Sequence, residues 1–241
     1  MRRVLVALVF GGALGCSRGT EEVTVPASAV AHGEAVFNDP AASPSRSNRF
    51  ACSTCHAPRA QDVGARILPG AVLGGATERK TYWFGQEDDL LRSVNHCRAS
   101  FMGAPDPWTR NDEEAKVLYA YLAQLPAEQK APVVGTVVRK IIDVPPGDPA
   151  RGAIVYEQAC RGCHGDKGTA ARRLTERAPL LPAQTIKEHD YLGPTEQRLV
   201  FVEKVRHGVF LGYSGTMPLY TTEVLSDADL GALLSFLELY K

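Results

Sequence analysis

The chain has 241 residues, 44% of them apolar and 22% charged, a globular composition rather than a disordered one. That length suits one or two domains of ordinary size. Lys plus Arg equals Asp plus Glu at 27 each, so nothing in the charge points to a polyanionic partner, and the balance argues against nucleic-acid binding.

Arg2 and Arg3 precede an apolar run over residues 4–14, the length of a signal-peptide core. It is too short to span a bilayer, which takes about 20 apolar residues, and no later stretch is long enough either. The run ends Ala13-Leu14-Gly15-Cys16. This resembles a bacterial lipoprotein box, with Ala13 where the box usually carries Leu. In that family Cys16 is the lipidated first residue. Residues 1–16 are therefore expected to be an export signal of lipoprotein type, with an ordinary secretory signal cut nearby as the alternative. The mature protein is expected in the periplasm or cell envelope, with a lipid anchor at Cys16 as its membrane contact. Residues 17–27 read as a polar tether.

Two segments of similar length follow, residues 28–126 and 148–241, separated by a linker over residues 127–147 with Pro132, Pro145 and Pro146. They look like copies of one plan. Each opens Gly-x-x-Val-aromatic, as Gly33, Val36, Phe37 and as Gly152, Val155, Tyr156. Each then carries Cys-x-x-Cys-His, as Cys52, Cys55, His56 and as Cys160, Cys163, His164. In the first copy a loop rich in Pro, Ser, Asn and Ala, residues 38–49, is inserted between the two.

A third helix is expected over residues 87–98, with Leu90, Val94 and Cys97 on one face, and over residues 195–207, with Phe201 and Val205 in the matching places. A methionine comes next, Met102 and Met217. Each copy closes with an amphipathic helix whose N-cap is expected at Asn111 or Ser226, with Glu114 and Asp229 three residues on. Steps of three and four align Ala115, Leu118, Leu122, Leu125 in one and Leu230, Leu233, Leu237, Tyr240 in the other. No sustained alternation occurs, so the fold class is all-α, two tandem helical domains joined by a Pro-rich linker.

A Cys-x-x-Cys loop holds two thiols near each other. When His follows at once, both thiols can add to haem vinyl groups while the imidazole ligates iron, the attachment signature of c-type haem. Two such motifs imply two haem c groups, on Cys52, Cys55, His56 and on Cys160, Cys163, His164. The imidazole needs a neutral nitrogen toward the metal, usually with its other N–H on a backbone carbonyl. A redox dithiol or half of a zinc site is the competing reading of each pair.

On these motifs the chain resembles the class I cytochrome c family in tandem, over nearly all of residues 30–241. The resemblance implies three or more helices wrapped round one haem per domain. In the second copy Arg151-Gly152, Cys160-Arg161-Gly162-Cys163-His164-Gly165 and Gly215-Thr216-Met217-Pro218 match the family's opening and Met-ligand loop. His164 and Met217 are the axial ligands so implied. The first copy departs from the pattern. His56 is proximal, but the far ligand stays open between Cys97 and Met102, with His96 behind because it lies about 100° round the helix from Cys97.

A narrower resemblance covers about 35 residues. Leu73-Gly74-Gly75, Arg79, Tyr82-Trp83, Gly85, Asn95-x-Cys97 and Met102 look like the haem-one domains of sulfur-oxidising diheme cytochromes, thiosulfate dehydrogenase and the SoxA-type subunits. In those relatives a cysteine at the place of Cys97 ligates the catalytic haem. Arg79, Arg92 and Arg98 attract an anion or a haem propionate on this reading, and are solvated helix faces on the plainer one. Tyr82, Trp83 and Trp108 line the haem crevice or fill core. His32, His189 and His207 default to surface or structural roles.

The leading expectation is an exported electron carrier whose partners are other cytochromes, an oxidase or a quinol-linked complex. The alternative is a sulfur-anion oxidoreductase with Cys97 catalytic at haem one and haem two as electron exit. A zinc-binding protein without haem is the third reading.

Overall fold

The computed structural model describes residues 25–42, 45, 49–127, 133–211 and 215–240. The expected export signal and Cys16 lie outside these residues, as does part of the 38–49 loop. The helices are α1 (Ala27–Asn38), α2 (Cys52–Cys55), α3 (Leu90–Ser100), α4 (Glu113–Ala123), α5 (Pro149–Val155), α6 (Arg161–His164), α7 (Ala183–Glu188), α8 (Pro194–Leu211) and α9 (Asp227–Phe236). A π turn over Tyr156–Cys160 joins α5 to α6. Among the described residues there is no strand, only an isolated bridge between Tyr82 and Glu87, so the chain is all-α as expected. No helix among them is long and apolar enough to cross a membrane.

Helix starts follow local side-chain chemistry. Asp148 accepts from the N–H groups of Ala150 and Arg151 ahead of Pro149, which occupies the first helical position of α5. Ser226 caps α9 through the Asp229 N–H, as its spacing predicts. Two expectations shift. The cap of α4 is Asp112 rather than Asn111, because residues 109–112 close a turn of their own: the Asp112 carboxylate accepts from the Thr109 N–H and its N–H returns to the Thr109 carbonyl. And α3 starts at Leu90 rather than 87, because Glu87 pairs with Tyr82 in both backbone directions and Asp89 then caps the helix through the Arg92 N–H.

Two apolar clusters form the core. One joins Val36 and Phe37 of α1 to Val117, Leu118, Tyr121 and Leu122 of α4. The other joins Val155 and Tyr156 to Val202 and Val205 of α8 and Leu230, Leu233 and Leu234 of α9. Both rest on the same helix crossing. A Cβ on Gly33 would lie 1.9 Å from the Val117 carbonyl oxygen, and one on Gly152 would lie 2.0 Å from that of Ala232. Only glycine lets the backbones approach so closely. Beside each crossing an aromatic pair tilts together, Phe37 with Tyr121 at 5.6 Å and Tyr156 with Phe236 at 5.5 Å between ring centroids.

The Pro-rich stretch does not run clear of the fold. Its described residues, 133–147, form a strap along the second cluster. The Thr136 N–H and hydroxyl donate to Glu223 at 2.8 and 2.5 Å, and His207 Nε2 lies 2.7 Å from the Val138 carbonyl. Asp143 pairs with Arg198, Tyr240 donates to the Val144 carbonyl at 2.6 Å, and the Gly147 N–H donates to Ser235. Prolines cannot donate from their own nitrogens, but the carbonyls and N–H groups between them remain available, and His207 of α8, Ser235 of α9 and, outside these helices, Glu223 and Tyr240 take them up.

Candidate functional site

Within α2, Cys52 and Cys55 stand three residues apart on one side of a single helical turn. His56 leaves the helix in an extended conformation, its N–H held by the Cys52 carbonyl at 3.0 Å. Its Nδ1 lies 2.8 Å from the Ala71 carbonyl oxygen. A carbonyl only accepts, so Nδ1 carries the proton and Nε2 is the nitrogen left to ligate. The loop bearing Ala71 presses on the ring: a Cβ on Gly70 would meet His56 Cε1 and Nδ1 at 2.5 Å. Burial holds the His56 imidazole below its ordinary value, opposed by the Ala71 hydrogen bond and aided by Arg79 nearby, so it is neutral at pH 7.

The second motif repeats this geometry with different neighbours. Cys160 ends the π turn, Cys163 and His164 lie in α6, and His164 Nδ1 is 3.0 Å from the Pro179 carbonyl. Histidine and carbonyl are fifteen residues apart in both copies. His164 too is pushed toward neutrality, chiefly by burial. Gly165, at φ 72°, turns the chain away, and its carbonyl accepts from the Tyr156 hydroxyl at 2.9 Å.

Met217 packs against the second cluster, which includes Cys160, Phe201, Val205 and Tyr220. Its approach is set by a break in α8 at Gly208 (φ 54°, ψ −139°), where a Cβ would lie 2.6 Å from the Met217 carbonyl oxygen. The Val209 N–H donates to that oxygen at 2.9 Å. Arg206, 2% exposed, then ties down the segment that follows: its guanidinium donates to the carbonyls of Tyr220 at 3.1 Å and Leu225 at 2.7 Å and to Asp227 at 2.6 Å. Nothing in the local sequence marks Arg206 as this anchor. The carbonyls of Ala71 and Pro179 are different, since both pairs sit in the register that relates the two Cys-x-x-Cys-His motifs, a signal present in the sequence.

Beside the first motif an apolar cleft encloses about 1520 Å³ of empty space, its open mouth included. Cys52, Cys55 and His56 line it, and so do both Cys97 and Met102. His96 does not. It faces solvent, 3.6 Å from Glu87, on the far side of α3. Burial pushes the Cys97 thiol up to about 12, with Cys52 adding to the effect, so it ionises only where a cation compensates.

The three arginines divide. Arg92 is a solvated face paired with Glu87 and Asp88. Arg79, 8% exposed, donates to the carbonyls of Val72 and Gly74. Arg98, 3% exposed, stacks 3.8 Å over Trp108 and donates to Asn95 and to the Asp106 carbonyl, while its Nε, like the nearby Ser93 hydroxyl, meets no partner. Asn95 clamps this corner through both Trp108 backbone groups at 2.8 Å. Tyr82 and Trp83 line the cleft, whereas Trp108 serves the core and Arg98. Of the remaining histidines, His32 is exposed, His189 just past α7 bonds back to the Thr185 carbonyl and His207 holds the strap.

These residues fit a haem. Its ring is flat and largely apolar, as the cleft walls are, and its two carboxylates suit the buried guanidinium groups of Arg79 and Arg98 on that wall. The five described cysteines are free thiols, the form that adds to vinyl groups. Among the described residues no three His, Cys, Asp or Glu side chains gather to hold a bare metal ion.

Residues 147–237 match the family described as Cytochrome C oxidase, cbb3-type, subunit III. That stretch is a c-type cytochrome domain, which implies haem c and electron transfer to redox partners. The match does not extend to the first motif. Among solved structures, thiosulfate dehydrogenase (TsdBA) from Marichromatium purpuratum, in its as-isolated form, aligns over 87% of this chain at 16% identity with a TM-score of 0.41. The chain corresponds to 45% of that protein's length. No curated protein matches the chain in sequence.

Proposed function

We propose that the protein is an exported two-haem c-type cytochrome that passes electrons between redox partner proteins of the periplasm or cell envelope, with Cys16 as a lipid anchor. Cys52 and Cys55 hold one haem by thioether links and Cys160 and Cys163 the other. The observation that carries this reading is the doubled histidine geometry, Nδ1 on a carbonyl fifteen residues downstream at 2.8 Å in one copy and 3.0 Å in the other. When bound, each haem supplies a one-electron Fe(III)/Fe(II) couple.

The chain's own residues orient, tune and enclose. The Ala71 and Pro179 carbonyls keep His56 and His164 in one tautomer, neutral and basic at Nε2. Met217 would supply the metal of the second site with a soft thioether, a donor that favours the reduced state. For the first site Cys97 and Met102 remain the two candidates, both on the cleft wall. The apolar lining excludes water and so favours the less charged, reduced state. Covalent haem is tested by mass spectrometry of the unfolded chain, where the mass of two haems is expected; none at either pair refutes the proposal.

A second reading makes the first site a sulfur-anion oxidoreductase. That Cys97 and Arg98, a buried cation with an unused donor, line the same cleft favours it. Low-temperature electron paramagnetic resonance on wild type and Cys97→Ala separates the two. A carrier loses at most a ligand and shifts its potential, whereas the enzyme also loses turnover of thiosulfate or a related anion. A wild-type protein reduced by ascorbate but never by thiosulfate or sulfite counts against the enzyme.

A further inference from the structure

The two Cys-x-x-Cys segments lie against one another, although the attachment chemistry of neither needs it. From the first half, the Ile67 N–H donates at 2.9 Å to the carbonyl of Gln158, two residues before Cys160, and the Ile67 side chain packs on the second apolar cluster. From the second half, Pro218, Leu219 and Thr221, which follow Met217, line the same cleft as Cys52 and Cys55. Between them Tyr220 turns the other way, into the second cluster. It is 6% exposed, its N–H donates to the Val205 carbonyl at 2.8 Å, and its hydroxyl donates to the carbonyl of Ala159, next to Cys160, at 2.9 Å. The thiols that bear electrostatically on its hydroxyl are Cys160, Cys163 and, from the other half, Cys55. Cys163 in turn lies near enough to Cys55 to add, after burial, to the upward push on its thiol.

We infer that Tyr220 is a positioning residue for electron exchange between the two haem sites, its ring filling the seam where Cys55 meets Cys160 and Cys163. The inference rests on the two-haem reading above. Attachment through these sulfurs ties each haem to its own side of the seam, and electron exchange weakens steeply as the gap between donor and acceptor widens. A large, rigid ring packed into the seam fixes that gap by its bulk, where a small side chain leaves a void into which the segment after Met217 can relax. The exchange moves one electron from one site to the other. No bond forms or breaks and no proton leaves, since burial keeps the phenol protonated.

The test uses the full-length holoprotein as wild type, Tyr220→Phe and Tyr220→Ala. Haem content is measured first, and fewer than two covalent haems in wild type refutes the two-haem reading rather than this inference. Two signals are then followed: magnetic coupling between the ferric centres, by electron paramagnetic resonance, and redistribution of an electron between the sites after flash reduction. Tyr220→Phe is expected to match wild type in both. Tyr220→Ala, with both haems retained and their separate spectra unchanged, is expected to exchange about tenfold more slowly, the scale on which a small misplacement acts on positioned reactants, and to show weakened coupling. Unchanged exchange in Tyr220→Ala overturns the inference. Equal slowing in Tyr220→Phe also overturns it, because the hydroxyl alone is then responsible. Should Tyr220→Ala fail to mature, wild type decides: uncoupled ferric centres overturn the inference and coupled ones support it.

Discussion

Replacing Gly152 by alanine sets a methyl carbon 2.0 Å from the Ala232 carbonyl oxygen, 2.5 Å from its carbonyl carbon and 2.8 Å from Phe236 Cβ. Two of these are backbone atoms of α9, which no rotamer change can move. Relief requires α5 and α9 to part by about 1 Å, and a gap of that size forfeits roughly a quarter to a half of each dispersion contact along the crossing. The side chains affected include Val155, Tyr156, Leu233 and Leu234, all buried. Overpacking of this kind costs about 3 kcal/mol, against about 1 kcal/mol gained when a helical glycine becomes alanine. The net loss is about 2 kcal/mol, or about 4–8 °C in Tm for a protein of this size. Gly162→Ala is the control, because a Cβ there has no atom within 4 Å. Thermal unfolding of the holoprotein followed by helical circular dichroism makes the comparison. A Gly152→Ala protein as stable as Gly162→Ala would refute the close crossing and, with it, the role given to Gly33 in the first half.

Gly70→Ala forces the His56 ring off the Ala71 carbonyl, since its Cβ would sit 2.5 Å from that ring. Loss of such a supporting bond is expected to weaken axial ligation about tenfold, read as easier displacement by added imidazole at the first site alone; equal resistance in variant and wild type counts against the assignment. Arg206→Met leaves the carbonyls of Tyr220 and Leu225 without their donor and Asp227 without its partner. A loss of about 2 kcal/mol in denaturant unfolding is expected from the buried carbonyls left unsatisfied, together with a changed potential of the second site, because this arginine holds the segment after Met217; an unchanged potential refutes that link. Glu223 is held down to about 2 from an ordinary 4.5, first by the Thr136 hydroxyl and then by its N–H. A depressed carboxyl stabilises the fold fully above about pH 4.5 and ceases to as the pH falls through about 2. Solvent screens so exposed a group, so Glu223→Gln is expected to cost only about 0.5–1 kcal/mol at neutral pH. Acid titration of both proteins checks the sign: the difference should close between about pH 4.5 and 2, and a difference that grows there would be inconsistent with the Thr136–Glu223 contact.

Local spacing made much of this protein legible. The apolar steps of Leu118 and Leu122, or of Leu230 and Leu233, lie three and four residues apart and put one face of each closing helix into a core whatever the rest of the chain does. Ser226 names its own helix start because its hydroxyl reaches only as far as Asp229. Asn111 failed as a cap because its neighbour Asp112 was drawn into a turn with Thr109, a competition between two local bonds that no pattern ranks. The prolines at 132, 145 and 146 break up residues 127–147, but whether such a stretch is a free spacer or a strap depends on whether Glu223, Arg198 and Ser235 arrive beside it.

By itself, then, the sequence determined the chemistry available: two thiol pairs each followed by imidazole, a Met-Pro loop, a third thiol on α3, and helical faces to bury them. These depend on separations of one to four residues, which covalent geometry converts directly into position. Tertiary structure alone decided which carbonyl steadies each histidine, that Cys97 and Met102 share a wall while His96 turns to solvent, and that Arg98 is buried while Arg92 is not. It alone packed Tyr220 into the second cluster with its hydroxyl on the Ala159 carbonyl, beside Cys160. Contacts such as Ile67 to Gln158 join residues far apart in the chain, and they exist only where the packing of whole helices, rather than any local preference, sets the path of the backbone.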